Sequence, residues 1–156
     1  MLNMSLRDLV KEDKKKSLRS PRTLTRQQVK RLKKRGYDAE RELVQMFRVA
    51  GFEALRIPVS APSNEPFPDV FAIKDDCIIA LEVKSQERYT YFKRKQINKL
   101  FSFLEVHKYY PRRYAVLASK FKYKDWTFLI ADKKRDYSIR AGEGLTFKKL
   151  IEIVQR

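Results

Sequence analysis

Two apolar runs constrain this chain more than any other feature. "DVFAIK" (69–74) and "CIIALEVK" (77–84) are separated only by Asp75 and Asp76. Short runs rich in β-branched and aromatic residues, broken by a two-residue turn, read as a β-hairpin. With the turn at Asp75–Asp76, Lys74 faces Cys77 and Asp69 lands opposite Glu82; a four-residue loop from Lys74 to Cys77 keeps the same pairing. Directly opposed residues have Cβ atoms about 4.5–5.5 Å apart. Two carboxylates that close repel unless one is protonated or a cation lies between them. Lys84 is two residues beyond Glu82 and projects from the same face. The expectation is a site at one sheet edge where Asp69 and Glu82 bind Mg²⁺, with Mn²⁺ able to substitute, since such ions favour carboxylate oxygens. The ion would acidify a water and neutralise a phosphodiester, with Lys84 orienting or deprotonating that water or stabilising developing charge. The bland alternatives are a turn aspartate after Pro68 and a structural ion pair between Glu82 and a nearby base.

The rest of the chain reads as helices and strands around that hairpin. In "YDAERELVQMFRVAGF" (37–52), Leu43, Val44, Phe47 and Ala50 share a helical face, with Asp38 as expected cap and Gly51 as stop. A short strand (52–59), a loop with three prolines (60–68) and the hairpin follow. A helix is expected over 91–110, with Ile97, Leu100, Phe101 and Leu104 on its inner face. Strands are expected at 113–119 and 125–131, with a weak one at 136–140. Phe147, Leu150, Ile151 and Val154 mark a C-terminal helix capped by Thr146. The fold class is α/β, a mixed central sheet flanked by helices. Glu40 sits at the edge of the first helix's buried face and could add a third carboxylate, directly or through water. Ser60 opens the proline-rich loop and could bind a phosphate. Gln96 starts the helix after Glu82 and could face the same cleft.

Charge points to the partner. The chain of 156 residues carries 36 Lys and Arg against 19 Asp and Glu, a formal net charge of +17. A charge that large favours a polyanion, nucleic acid before an anionic membrane surface. Residues 1–37 hold 13 of the bases against 3 acids. They suggest a basic extension over 1–35, flexible or partly helical from Thr25, ahead of a catalytic domain over 36–156. One cysteine, Cys77, and one histidine, His107, exclude a disulfide framework and a Cys/His zinc site within one chain. No apolar run approaches the roughly 20 residues that span a bilayer, and the first residues lack a signal peptide's apolar stretch. The expected compartment is the cytoplasm, with no membrane partner.

The order helix-glutamate, loop-serine, Pro-Asp, then Glu-x-Lys resembles the PD-(D/E)xK nuclease superfamily. "DAERELVQMFRVAGFEALRIPVS", "PFPDVFAIK", "IIALEVKS" and "KRKQINKLFSFL" are similar to the archaeal Holliday junction resolvases Hjc and Hje, with Hje the closer. The resemblance covers roughly residues 36–105. It implies a restriction-endonuclease-like core and a Mg²⁺-dependent endonuclease of recombination and repair. Such an enzyme acts as a homodimer, nicks opposed strands of a four-way DNA junction and leaves 5′-phosphates. By the same resemblance Glu40, Asp69 and Glu82 support the metal, while Ser60, Lys84 and Gln96 complete the site. The basic extension departs from the family pattern; it is expected to add DNA affinity or to contact a partner, such as a recombination or sliding-clamp protein.

Arg41, Arg48, Arg56, Lys93, Arg94 and Lys95 are the candidate phosphate contacts, and "WTFLI" (126–130) is a candidate contributor to a dimer patch. Two other readings stand beside the resolvase. One is a repair or restriction-type nuclease of the same superfamily acting on linear duplex. The other is a non-catalytic architectural DNA-binding protein, which explains the charge but not why Asp69 faces Glu82.

Overall fold

The structure, a computed structural model, describes residues 23–58 and 64–156. Residues Lys33–Arg156 form one compact unit, and Met1–Leu32 are assigned to another. The elements run α1 (Arg26–Val49), β1 (Glu53–Arg56), β2 (Val70–Lys74), β3 (Cys77–Gln86), β4 (Tyr89–Phe92), α2 (Arg94–Val106), β5 (Arg112–Phe121), β6 (Thr127–Ala131), β7 (Tyr137–Arg140) and α3 (Phe147–Val154).

The hairpin adopts the expected register. Lys74 pairs with Cys77 and Val70 with Leu81. Asp75 takes the turn at φ 52°, in the left-handed region that aspartate tolerates better than most side chains. Arg112 ties this end of the hairpin to β5 through the Asp76 carboxylate, with Nε to Oδ1 at 2.8 Å. A five-stranded sheet grows around the hairpin in the order β1-β2-β3-β5-β6. All neighbours are antiparallel except β3 and β5, which run parallel. A parallel pair needs a crossover, and α2 lies within it.

β3 is central, and its run from Cys77 to Leu81 is buried throughout. Its odd-numbered residues join Val70, Ala72, Val116, Ala118 and Phe128 under α1 (Leu43, Val44, Phe47) and α3 (Leu150, Val154). Its even-numbered residues Ile78 and Ala80 pack with Leu117 against α2 (Ile97, Leu100, Leu104) and the ribbon residues Phe92 and Ile139. From Glu82 to Ser85 β3 is only partly buried, and Gln86 is exposed. The strand thus carries its polar end, Glu82 to Gln86, out from between the covering layers.

Several boundaries differ from the sequence reading. α1 is one continuous helix from Arg26, not a helix capped at Asp38. Its start is a reciprocal cap: Thr25 Oγ1 accepts from the Gln28 N–H at 3.2 Å and Gln28 Oε1 from the Thr25 N–H at 2.9 Å. Asp38 lies inside the helix, where its carboxylate pairs with Lys34 at 2.8 Å and Arg41 at 3.2 Å. Gly51 does stop α1, at φ 88°. The Phe52 N–H reaches the Phe47 carbonyl and the Gly51 N–H the Arg48 carbonyl, both at 3.0 Å, which is the Schellman arrangement. Tyr89–Phe92 is a strand where a helix start was expected. It alternates exposed and buried and pairs with β7 as a separate two-stranded ribbon. Phe103, not Phe101, completes the buried face of α2. Thr146 caps α3 as expected, accepting from the Lys149 N–H at 3.2 Å. Trp126 and Phe128 are core residues, packed on each other at 5.9 Å between centroids, and within 126–130 the partly exposed residues are Leu129 and Ile130.

Candidate active site

Asp69 stands one residue before β2, where the hairpin register continues toward Glu82. Its N–H donates to the Leu81 carbonyl at 3.0 Å, and its Oδ2 accepts from the Val83 N–H at 2.8 Å. The Ile57 N–H, one residue past β1, donates to the Asp69 carbonyl at 2.9 Å and also holds this residue. Glu82 is oriented from the other side by Gln96, whose Nε2 donates to Oε1 at 2.8 Å. Gln96 is itself fixed: its Oε1 accepts from the Lys93 N–H at 3.0 Å, which closes the first turn of α2. The amide therefore serves a helix start with one end and a site carboxylate with the other.

The two carboxyls perturb each other. Burial pushes Asp69 above the ordinary carboxylate range, and the nearby Glu40 charge adds to the shift, against the Val83 N–H, Lys99 and Arg56. Burial followed by the Asp69 charge pushes Glu82 up as well, against Lys84, Lys99 and the Gln96 hydrogen bond. Burial lowers the Lys84 ammonium, Lys93 reinforces that, and the two carboxylates oppose it. The Lys84 ammonium hydrogen-bonds to the Tyr91 carbonyl and lies 5.1 Å over the Phe92 ring. Two partly buried acids that resist ionising together, with a cation held beside them, form an environment a divalent ion would complete.

Glu40 is near enough to be felt at Asp69, but its carboxylate is paired with the Arg56 guanidinium. Arg56 in turn stacks over Tyr37 at 4.5 Å. Among the described residues no group of three His, Cys, Asp or Glu side chains lies together as a metal cage. The donor set is thus two hard carboxylates, Asp69 and Glu82, which fits Mg²⁺ or Mn²⁺ because such ions keep several waters and take phosphate oxygens as further ligands. Ser60 lies outside the described residues.

The candidate phosphate contacts divide into two groups. Lys93, Arg94 and Lys95 are exposed at the start of α2 beside the acid pair, and Arg41 is exposed on α1. Arg48 and Arg56 have guanidiniums bound within the chain, and the exposed Arg41 is itself paired with Asp38 at 3.2 Å. Arg48 Nε and one terminal nitrogen donate to the Ala54 carbonyl at 3.2 and 3.0 Å, clasping β1 to the end of α1. Sequence reasoning missed Lys99, whose charge acts on both acids. Its spacing of three residues after Gln96, on the same side of a helix, was the available signal. It also missed the Tyr91 carbonyl, for which no side-chain pattern exists.

The family model "Archaeal holliday junction resolvase (hjc)" matches residues 31–156. The Crossover junction endodeoxyribonuclease Hje of Saccharolobus islandicus (strain REY15A) is 36% identical over 123 residues, spanning 78% of this chain and 90% of the relative. The Hje of Sulfolobus acidocaldarius is 46% identical over 88 residues, spanning 56% of this chain and 62% of the relative. The solved structure of Archaeoglobus fulgidus Hjc, described as a Holliday junction resolvase, superposes with a TM-score of 0.62 at 23% identity, over 74% of this chain and 99% of the other. That likeness shows the fold, a restriction-endonuclease-like mixed sheet between helices. The extent of the family match and the Saccharolobus alignment together establish that the chain belongs to the archaeal Holliday junction resolvase (Hjc) family.

Proposed function

We propose that this chain is a crossover junction endodeoxyribonuclease that resolves four-way DNA junctions by Mg²⁺-dependent hydrolysis, leaving 5′-phosphate ends. The observation that carries the reading is the Asp69–Glu82 pair with Lys84 beside it, at the polar end of β3, in a chain of this family.

In this reading Asp69 and Glu82 hold the divalent ion, and Gln96 fixes the Glu82 carboxylate for it. When bound, Mg²⁺ supplies Lewis acidity, which lowers the pKa of a water and offsets phosphodiester charge. Glu40 keeps Arg56 in place near Asp69 and would add a carboxylate for the ion, directly or through water. Lys84 meets the non-bridging oxygens of the scissile phosphate and stabilises the charge that grows there. Ser60 would contact the phosphate. Lys93, Arg94, Lys95 and Arg41 hold the flanking backbone, which positions the DNA without reading its sequence.

A two-fold junction offers two equivalent scissile phosphates, so a homodimer would place one site on each. The basic extension adds arm contacts or docks a recombination or sliding-clamp protein. Among the described residues no helix is long and apolar enough to cross a membrane; with a DNA substrate, we place the enzyme in the cytoplasm.

The test is cleavage of an end-labelled four-way junction and a matched linear duplex, each with Mg²⁺ or EDTA. Paired symmetric nicks on the junction alone, lost in EDTA and ligatable without added kinase, are expected. Equal cutting of the duplex would shift the reading to a general nuclease. Junction binding with no cutting under any divalent metal would leave only an architectural role.

A further inference from the structure

Lys84 shares its face of the sheet with Glu82, and an ammonium so close to a partly buried carboxylate would ordinarily settle onto it. Here it turns instead to β4, to the Tyr91 carbonyl and the Phe92 ring. β4 is four residues long and pairs only with the four-residue β7, and a two-stranded ribbon is marginal by itself. Its inward side is anchored: Phe92 is buried, and the Thr90 and Ser119 hydroxyls share a hydrogen bond of 2.6 Å. Its outward side is held by Asp136, immediately before β7. Asp136 Oδ2 accepts from the Tyr91 hydroxyl at 2.6 Å, and Oδ1 accepts from the Arg94 N–H, also at 2.6 Å.

That second bond matters for α2. The first N–H groups of a helix lack intrahelical acceptors, and Lys93, preceding Arg94, has no side-chain acceptor to offer. Asp136 supplies one from a distant part of the chain, with a negative charge that suits a helix N-terminus. The same turn carries Gln96, which holds Glu82. One carboxylate outside the site thus fastens both the strand that holds Lys84 and the helix turn that holds Glu82.

We infer that Asp136 and Tyr91 are positioning residues for cleavage: their clasp keeps Lys84 beside the acid pair rather than on it, and keeps Gln96 on Glu82. The inference rests on the roles proposed above for Lys84 and Glu82. The experiment compares the full chain with Tyr91→Phe, Asp136→Ala, their double variant, Lys84→Ala and Tyr89→Phe. It reads single-turnover junction cleavage in Mg²⁺, junction Kd in EDTA and the thermal midpoint. Tyr91→Phe and Asp136→Ala are each expected to slow cleavage about tenfold, within the loss a 1 Å misplacement can cause. Kd should stay near wild type in both, and so should the midpoint of Tyr91→Phe, because Phe92 and the Thr90–Ser119 bond still seat β4; Asp136→Ala should lower the midpoint as well, since it removes the acceptor at the α2 N-terminus. The double variant should be no slower than the slower single one, since both break one clasp. Tyr89→Phe, on the same strand but outside the clasp, should cleave normally. Wild-type rates in both single variants beside an inactive Lys84→Ala would overturn the inference alone, as would multiplying losses or a loss confined to Kd. Normal cleavage by Lys84→Ala would overturn the proposed role of Lys84 and this inference with it.

Discussion

Asp69 is held by a main-chain N–H on one side and repelled by Glu40 and Glu82 on the other. Its ionised form is costly in the metal-free protein, and in the proposed role it becomes useful once a cation is bound. Asp69→Asn keeps an oxygen to accept from the Val83 N–H while removing the charge. It should abolish junction cleavage, leave junction binding within about twofold, and raise the thermal midpoint of the metal-free protein at neutral pH. Activity assays, gel-shift titrations and thermal unfolding check the three parts. The pH dependence follows from the same raised values. A carboxyl whose folded pKa exceeds its unfolded one retains its proton in the folded state over the interval between them. The metal-free protein should therefore lose stability as pH rises from about 4, the ordinary carboxylate value, through the raised folded values, and then level off. Saturating Mg²⁺ should restore the loss at the upper end, because the ion binds the ionised folded form. A midpoint that rises with pH over this interval in EDTA would contradict the shifts at Asp69 and Glu82.

At the scale of elements, the hairpin was legible because register leaves little choice. A one-residue slip would turn Ile78 and Ala80, and every other buried residue of β3, to the opposite face. The start of α2 was not legible. "YFKRKQ" carries a helical spacing forward from Ile97, and only the pairing of Tyr89–Phe92 with β7 converts its first residues to a strand. Asp38 likewise suits a cap locally, yet the helix runs through it because Thr25 and Gln28 cap the chain earlier. Close approach of backbones is equally invisible in sequence. Leu145 bridges to Phe128 on β6, exchanging two N–H···O bonds of 2.8 Å. A Cβ on the neighbouring Gly144 would meet the Phe128 carbonyl oxygen at 2.6 Å. Gly144→Ala should cost about 1–3 kcal/mol by overpacking, read as a lower denaturant midpoint at unchanged m-value. It should leave the metal dependence of cleavage intact, since β5 separates β6 from the strand that carries Glu82.

For the whole molecule, charge sets how DNA is held. Junction affinity should fall linearly with salt on logarithmic axes, by about 0.9 in slope for each phosphate neutralised. Replacing Lys93, Arg94 and Lys95 together with alanine should flatten that slope by about 2–3, if each meets one phosphate. Arg48→Ala should leave the slope unchanged and lower the unfolding midpoint, because its guanidinium serves the Ala54 carbonyl. Filter binding at several salt concentrations separates the two. Sequence by itself determined the basic character, the hairpin, its register and the likeness to a nuclease family, all of which follow from residue type and spacing along one stretch of chain. It also determined which carboxylates face each other, since strand pairing is arithmetic once the turn is known. Tertiary structure decided which charges remain available. Arg56 goes to Glu40, Arg48 to a carbonyl, Lys84 to Tyr91, and Asp136 reaches across 42 residues to cap α2. The physical reason is that a side chain's electrostatic partner is whatever the packed layers bring within hydrogen-bond reach, and distance along the chain carries no record of it.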